Sequence, residues 1–508
     1  MICTCPSLRD DGLHAGVELE GTDKLLDMDR EVFEYHLMHP RKRGHLHGSP
    51  HTGHAGGAAC GDTVRLSVHV DGDVVTDAGF DAAGCGAVQA AASAAVDMVI
   101  GMPVLEAALI GTQQVADELG GLSAGKLHAA DLVADALAQA LGRAAAAQAQ
   151  LPARSDRTLV AMSGGVDSSL TALLCQEQGR DVVAVTVELW RDSENDAESS
   201  CCSITAVRQA RMQAHRLGIP HFTMDLREPF RQGVVSPYLQ AFTEGQTPNP
   251  CIRCNGDVRL DAMIALADRL GAADLATGHY ARLSADEHGP LLAAAADVAK
   301  DQTYMLSGLS PASLRRMRFP LGDYTKPQVR QLAADRGLFS ANKPDSQDLC
   351  FLAGTTQDRF LARHADIKAR PGRFVTVDGK QVGSHEGSHR FTVGQRRGLG
   401  LSMGAPVFVL QIRPDTNEVV VGPREQLAQS RVPLAGVKLY RPGEQVTAVK
   451  LRYKSRPLSC VLSEPLDVGR HRRAQLALNE PAEGVAPGQA AVLLNGERVV
   501  GVATIAPK

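Results

Sequence analysis

Three patterns of apolar and polar positions follow one another along the chain. Within residues 31–143, apolar and polar residues alternate over 65–70 and 74–80, on either side of a turn at Gly72. This pattern predicts a β-hairpin. Two alanine-rich stretches with helical spacing follow, at 87–100 and 130–141. Strands followed by helices predict an α+β domain at this end of the chain.

Residues 157–355 show strand patterns that alternate with helical ones. The predicted strands are 158–162, 181–187, 219–224 and 273–277, and the predicted helices between them include 204–217 and 258–270. This alternation predicts a Rossmann-like α/β domain with a parallel sheet covered on both faces. Ligands of such sheets bind beyond the carboxyl ends of the strands.

After about residue 355 the helical pattern fades, and a small central domain is predicted for 356–432. From 433 to 508, short strand patterns separated by Gly and Pro predict a β-barrel. Residues 1–30 are predicted to be an extension. Residues 144–156 are either a linker or a continuation of the preceding helix. The fold class is therefore multidomain, with α+β, parallel α/β, central and barrel units.

Composition limits the function classes. The formal charge of −4 gives no overall attraction to nucleic acid, so any RNA contact must use local patches. No apolar run reaches the ~18 residues that a membrane span needs, and the N-terminus lacks a signal-peptide core. We therefore expect a cytoplasmic protein without a membrane partner. The eleven cysteines are an odd number, which favours metal or sulfur chemistry over structural disulfides.

A glycine-rich turn follows the first strand of the α/β unit. Its sequence is Ser163-Gly164-Gly165-Val166-Asp167-Ser168-Ser169, between a buried strand and a helix. Such a turn directs backbone N–H groups and a helix N-terminus at phosphate. The lysine of the Walker P-loop is missing. The turn resembles the loop of enzymes that cleave ATP to AMP and pyrophosphate.

Two further sequences contain cysteines that suggest chemistry. Cys251 and Cys254 form a C-x-x-C between prolines and asparagines, which predicts a loop. Arg253 and the following helix favour a reactive thiolate there. Cys350 lies in a second polar segment. Zinc would need a fourth ligand, and no paired histidine or second C-x-x-C is near in the sequence.

Together these motifs and several later ones resemble the tRNA-specific 2-thiouridylases, in family order from Thr158 to the C-terminus. The other matching segments are Asn249-Pro250-Cys251, Cys254-Asn255, 276–280, Lys300-Asp301-Gln302, 345–351, 394–400, Arg452-Tyr453 and 487–489. The resemblance implies that sulfur replaces the C2 oxygen of the wobble uridine of certain tRNAs. ATP, with Mg²⁺, would convert that oxygen into a leaving group, and a persulfide would then attack.

The resemblance also implies a role for each matching residue. Cys350 would carry the persulfide, and Cys254 would be the second catalytic cysteine that closes a disulfide with it. The implied ATP-binding residues are Ala161, Met162, Ser163, Gly164, Gly165, Val166, Asp167, Ser168, Val187 and Gly278. The implied tRNA-binding residues are Asn249, Pro250, Cys251, His279, Lys300, Asp301, Gln302, Arg452, Tyr453 and Gln489.

Alternatives to this mechanism remain open at the level of sequence. Some family members have aspartate at the position of Cys251, but Cys251, Cys254 and Cys350 could also hold an iron–sulfur cluster that delivers sulfide. Another AMP-forming tRNA-modifying enzyme, or an amide-forming synthetase, would use the same glycine turn but needs no paired thiols. A non-catalytic carrier of sulfur or of a cluster is a third possibility.

The N-terminal unit resembles the iron–sulfur assembly scaffolds. The matching segments are 39–44, Cys60-Gly61-Asp62, Gly84-Cys85-Gly86 and 118–122. Cys60, Asp62 and Cys85 correspond to scaffold ligands, but Ala129 occupies the position of the third cysteine, next to His128. The unit could bind zinc or a labile cluster through Cys60, Asp62, Cys85 and His128. It could instead receive a cysteine desulfurase or sulfur relay protein, or serve only folding.

Overall fold

The computed structural model describes residues 30–56, 61–192, 203–342, 349–365, 367 and 370–507. The predicted ligand Cys60 lies outside the described residues, as do nearly all of the predicted extension and positions 345–348 of the motif around Cys350. None of the helices in these ranges combines the length and apolar character that crossing a bilayer requires.

The N-terminal domain packs helices against a small antiparallel sheet of order β1-β2-β3. Its strands and longer helices are α1 (Arg30–Met38), β1 (Thr52–Gly56), β2 (Thr63–Asp71), β3 (Val74–Ala83), α2 (Gly86–Val99), α4 (Thr112–Glu118) and α5 (Leu127–Gln148), with the short α3 (Val104–Ala107) between α2 and α4. The predicted hairpin and both predicted helices are present.

The second domain is built on a parallel five-stranded sheet of order β10-β7-β4-β5-β6. The strands are β4 (Arg154–Ala161), β5 (Asp181–Glu188), β6 (His221–Asp225), β7 (Ala272–Thr277) and β10 (Met317–Arg318). The helices are α6 (Val166–Glu177), α7 (Ile204–Arg216), α8 (Arg227–Phe230), α9 (Ser236–Thr243), α10 (Pro250–Arg253), α11 (Leu260–Arg269), α12 (Thr303–Leu306), α13 (Pro311–Leu314), α14 (Lys326–Asp335) and α15 (Gln357–His364). The predicted Rossmann-like architecture is confirmed.

The C-terminal part contains a four-stranded sheet and a closed barrel. The central sheet has the order β12-β11-β14-β13, from β11 (Gly372–Val375), β12 (Gln381–His385), β13 (Phe408–Arg413) and β14 (Glu418–Gly422). Six strands close the barrel because the first also pairs with the last. They are β15 (Gln429–Leu439), β16 (Ala448–Lys450), β17 (Leu458–Leu462), β18 (Gly469–Ala482), β19 (Ala490–Asn495) and β20 (Arg498–Ile505). A hairpin of β8 (Arg282–Asp286) and β9 (Gly289–Ala293) joins the barrel through β20.

The structure decides one open alternative and corrects one local expectation. Residues 144–148 continue α5, because their alanines extend its buried face. The C-x-x-C segment is not a loop: Cys251 lies in α10, and Cys254 begins the π-helical turn that follows it. Proline is tolerated there because Pro250 is at the first helical position, where no N–H is needed, and Asn249 caps the helix.

Helix α5 attaches the N-terminal domain to the edge strand β6 of the parallel sheet. The Asp135 carboxylate, almost completely buried, accepts hydrogen bonds from Arg208 at 2.5 Å and Arg211 at 2.6 Å in α7. One turn from the end of the helix, Arg143 donates to Asp225 at 2.7 Å. One buried ion pair, between Asp135 and Arg211, and one half-buried pair, between Arg143 and Asp225, join the two domains.

Substitution of Gly142 by alanine is expected to destabilise the protein by about 2 kcal/mol. A Cβ at this position would lie 2.0 Å from the carbonyl oxygen of Thr223 in β6. Alanine normally stabilises a helix interior relative to glycine by up to about 1 kcal/mol. Here the clash turns that gain in the free energy of unfolding into a loss. Urea unfolding would measure the change. Gly125→Ala, whose Cβ meets no atom within 4 Å, is the control and is expected to have little effect; a fully stable Gly142→Ala protein would contradict the close packing.

Acidification is expected to weaken the same domain contact. The carbonyl of Ala108 accepts hydrogen bonds from the His221 N–H at 2.9 Å and from the His215 ring at 3.0 Å. Burial, with Arg211 nearby, lowers the pKa of His215 from 6.5 to about 4. The folded state resists protonation of His215, so the neutral ring contributes fully to the free energy of unfolding above pH 6.5. That contribution, roughly 3 kcal/mol, is lost as pH falls from 6.5 toward 4. The midpoints of urea unfolding at pH 7.5 and pH 5 measure this loss. The difference between the two midpoints should be smaller in His215→Gln than in the wild-type protein.

Candidate active site

The glycine-rich turn joins β4 to α6 at the carboxyl edge of the parallel sheet. Gly164 has φ +69°, and a Cβ there would lie 2.9 Å from the Ala206 carbonyl oxygen, so glycine is required. The Ser168 hydroxyl accepts from the Ser163 N–H at 3.1 Å and donates to the Gly165 carbonyl at 3.1 Å. These bonds fix the shape of the turn directly before α6, whose N-terminus favours an anion.

Gly278 brings the end of β7 against the start of α6. A Cβ on Gly278 would lie 2.8 Å from the Ser168 nitrogen, so only glycine allows this approach. The predicted nucleotide residues of β4, the turn and Gly278 are thus neighbours. Val187 lies near the end of the adjacent strand β5, half-buried.

A lysine that the sequence analysis did not identify completes this site. Lys326, 7% exposed, places its ammonium 2.8 Å from both carboxylate oxygens of Asp167, and the Tyr280 hydroxyl donates to the same carboxylate at 2.9 Å. Lys326 begins α14, some 160 residues after the turn in sequence. A single lysine at a helix start carries no recognisable pattern, so only the fold shows this contact.

His279 connects the nucleotide side to the cysteines. Burial and the neighbouring Arg259 lower the pKa of His279 to about 3. The neutral ring therefore accepts a hydrogen bond from Arg259 at 3.2 Å and donates to the Thr277 hydroxyl at 2.8 Å. Arg259 also donates to Asn255 at 2.6 Å, the residue after Cys254. The glycine turn and the C-x-x-C are thus linked by one short chain of contacts.

The segment around Cys350 is fixed by aromatic packing. Cys350 begins a short 3-10 turn, Cys350–Leu352, and is half-buried. The next residue, Phe351, is 3% exposed and its ring lies 5.0 Å from that of Tyr238 and 5.1 Å from that of Phe360. This packing holds the Cys350 turn against α9 and α15.

A cavity of about 730 Å³ brings the cysteine segments together. Cys251 lines it from α10, Leu349 and Leu352 line it on either side of Cys350, and Tyr453 lines it from the barrel. Cys254, in the turn that follows α10, is buried with 8% exposure. A flipped nucleobase needs a pocket of this kind, lined by apolar and aromatic groups with a few polar ones.

The remaining residues predicted to contact tRNA surround this cavity or bond within the protein. The Gln302 side chain accepts from the Tyr280 N–H at 2.9 Å, Asp301 accepts from the Thr303 hydroxyl at 2.8 Å, and the Lys300 N–H donates to Asp297 at 3.2 Å. The exposed Arg452 donates to the carbonyls of Val393 and Gly484 and so joins the central domain to the barrel. Gln489 donates to the carbonyl of Thr247 at 2.7 Å. The Asn249 side chain accepts from the Cys251 N–H.

The N-terminal domain also gathers three of its four predicted ligands. Ligand atoms of Asp62, Cys85 and His128 lie within 4.8 Å of one another. The Cys85 thiol donates to the Asp62 carboxylate at 3.0 Å, and burial and that carboxylate raise the pKa of Cys85. Ala129, in place of the usual third cysteine, is completely buried. A thiol, a carboxylate and an imidazole at these separations fit zinc or iron.

A parallel sheet with a glycine turn, next to a cysteine-lined cavity, defines a nucleotide-binding α/β domain equipped for sulfur chemistry. Four known families match the chain in order. They are described as NifU-like N terminal domain (residues 28–150), tRNA methyl transferase HUP domain (156–354), tRNA methyl transferase PRC-barrel domain (358–423) and Aminomethyltransferase beta-barrel domain (438–505). Their order agrees with the sequence of folds described above.

Similar proteins extend the match to nearly the whole chain. The bifunctional protein NifU/MnmA of Rubrobacter xylanophilus is 42% identical over 93% of this chain and 97% of its own length. The tRNA-specific 2-thiouridylase MnmA of Carboxydothermus hydrogenoformans is 40% identical over 69% of this chain and 97% of its own length. The chain belongs to the tRNA-specific 2-thiouridylase family, in the form that carries a NifU-like N-terminal domain. Both resemblances predicted from the sequence are confirmed.

Proposed function

We propose that this protein catalyses ATP-dependent 2-thiolation of tRNA, at the wobble uridine. The observation that carries the proposal is the cavity in which Cys251, the segment of Cys350 and Tyr453 of the barrel meet. The activity named for the relatives that match most of this chain supports it.

In the first step the uracil O2 attacks the α-phosphorus of ATP, a P–O bond forms, and pyrophosphate leaves. The glycine turn and the N-terminus of α6 stabilise the phosphate charge. Asp167 would hold Mg²⁺ through its carboxylate oxygens, and the metal would supply positive charge to the phosphates. The Lys326 ammonium, already beside that carboxylate, balances the charge of the departing pyrophosphate.

In the second step the persulfide of Cys350 attacks C2, a C–S bond forms, and AMP leaves with the former O2. The Cys254 thiolate then attacks the Cys350 sulfur, which breaks the S–S bond and releases the sulfur on the uridine. A Cys254–Cys350 disulfide results, and an external dithiol must reduce it before the next turnover. His279, Lys300, Asp301, Gln302, Arg452 and Tyr453 are proposed to position the RNA.

The N-terminal domain is proposed to serve the supply of sulfur, from a cysteine desulfurase or a relay protein. Asp62, Cys85 and His128 would hold zinc or a labile cluster, and a bound metal would keep the Cys85 thiol deprotonated. Metal analysis of the purified chain tests this. Metal content should fall in Cys85→Ser and persist in His47→Gln, an exposed histidine paired with Asp81. Equal metal content in both variants would exclude the site.

The purified protein tests the activity directly. Incubation with unmodified tRNA, ATP, Mg²⁺ and a desulfurase with cysteine should yield one AMP and one pyrophosphate per 2-thiouridine formed. AMP formation without tRNA thiolation would point to another AMP-forming enzyme. Failure to cleave ATP at all would favour a non-catalytic carrier.

A further inference from the structure

The loop that leads into the C-x-x-C is held by another domain. The Thr247 N–H donates to the carbonyl of Pro487 at 2.8 Å, and the Gln489 amide nitrogen donates to the carbonyl of Thr247 at 2.7 Å. Both backbone polar groups of Thr247 are thus bonded to one barrel segment, residues 487–489. We call this segment the barrel clasp.

The middle residue of the clasp permits contact between the two backbones. Gly488 has φ +88°, and a Cβ there would lie 3.0 Å from the Thr247 nitrogen and 2.9 Å from the Gln246 Cβ. Any side chain would push the catalytic loop away and would strain the backbone. The clasp and the loop therefore fit each other only with glycine at this position.

The clasp is fixed to β20 and also connects to the segment after Cys254 through α12. The Gly488 N–H donates to Ile505 and the Ile505 N–H donates to Gln489, which fixes the clasp to β20. The next residue, Ala490, accepts from the hydroxyl of Tyr304, which is fully buried in α12. The neighbouring Met305 carbonyl accepts from Asn255, directly after Cys254, at 3.0 Å. The barrel thus contacts the segment before Cys251 and the segment that packs behind Cys254.

We propose that the barrel clasp sets the position of Cys251 and Cys254, and that Gln489 is a positioning residue that acts through Thr247. This inference rests on the sulfur-transfer function proposed above and assigns Gln489 a role other than RNA contact. The barrel also contributes Tyr453 to the cavity. The domain that lines the cavity with Tyr453 is therefore also the one that aligns the cysteines of α10 and the turn after it.

The variant Gln489→Met keeps the length of the side chain and removes its donor. We expect kcat for thiolation to fall about tenfold to a hundredfold, because small displacements of reacting groups have effects of this size. Affinity for tRNA should remain at the wild-type value. Gln475→Met, on β18 of the same barrel, is the matched control and should keep full activity. Weaker tRNA binding with unchanged kcat would overturn the inference in favour of direct RNA contact.

A second readout needs no RNA and no turnover. Alkylation of Cys251 and Cys254 by iodoacetamide, followed by mass spectrometry of the peptide, should be faster in Gln489→Met and Gly488→Ala than in wild type and Gln475→Met. Wild-type rates in both clasp variants would overturn the positioning role. If the wild-type protein fails to thiolate tRNA, the proposed function fails, while this alkylation experiment still decides whether the clasp positions the cysteines.

Discussion

Replacement of Cys350 by serine is expected to abolish 2-thiouridine formation, by at least about a thousandfold, while pyrophosphate is still released from ATP in the presence of tRNA. In the proposed mechanism adenylation uses the glycine turn and Lys326, whereas sulfur transfer needs a thiol that can carry a second sulfur. A hydroxyl cannot form a persulfide. Nucleoside mass spectrometry and a pyrophosphate assay on the same reaction would measure the two steps separately.

Three companion variants locate the sulfur and separate the two sulfur-transfer mechanisms. With ³⁵S-labelled cysteine and a desulfurase, Cys254→Ser should take up label on Cys350, hold it in a covalent adduct with the uridine when tRNA and ATP are present, and release no 2-thiouridine. Cys251→Asp should keep most activity if a persulfide is used and lose it if a cluster needs three thiols. Cys460→Ala, a core cysteine 1% exposed in β17, is the control. Undiminished thiolation by Cys350→Ser would contradict the assignment.

Replacement of Lys326 by methionine is expected to lower the rate of ATP cleavage by about 10²–10³-fold, the usual effect of removing a preorganised charge at a reacting phosphate. Lys326 is buried and lies 2.8 Å from both oxygens of Asp167. Tyr280 donates to the same carboxylate, so the ammonium has a fixed place beside the glycine turn. Pyrophosphate release at saturating tRNA would measure the change.

Lys326 could instead serve only to neutralise Asp167, and a double variant distinguishes the two roles. If neutralisation were its whole role, Lys326→Met combined with Asp167→Asn would cleave ATP no more slowly than Asp167→Asn alone. We expect a further loss of rate in the double variant, because the ammonium also acts on the phosphates. Gln331→Ala, exposed on the same helix and bonded to Asp335, is the control for α14 and should retain normal cleavage.

The fold was largely predictable because its signals are local. The apolar periodicities of β4, β5 and β7, and the turn between β2 and β3, arise from neighbouring residues and survive in the sequence. The loop expected at the C-x-x-C was wrong because a helix cap decided the outcome, and the choice left open at residues 144–156 was decided by a tertiary contact. Pro250 begins a helix because Asn249 caps it, and residues 144–148 remain helical because α5 is buried between two domains.

The site was predictable only as far as contiguous motifs reach. The glycine turn, the C-x-x-C and Cys350 are recognisable by spacing. The structure places the glycine turn after β4 and brings the segments of Cys251 and Cys350 to one cavity. Lys326, the aromatic anchor Phe351 and the clasp at Gly488 carry no such pattern, because each acts through a partner distant in sequence. The internal bonds of Arg452 and Gln489 also depend on how the domains pack.

The central claim is that this chain places sulfur on the C2 position of tRNA wobble uridine. Mass spectrometry of tRNA nucleosides from cells that lack the gene for this protein tests it most directly, with complementation by wild type and by Cys350→Ser. We predict that wobble 2-thiouridine disappears, returns with the wild-type gene and stays absent with the Cys350→Ser variant. Unchanged 2-thiouridine in the deletion strain would contradict the account.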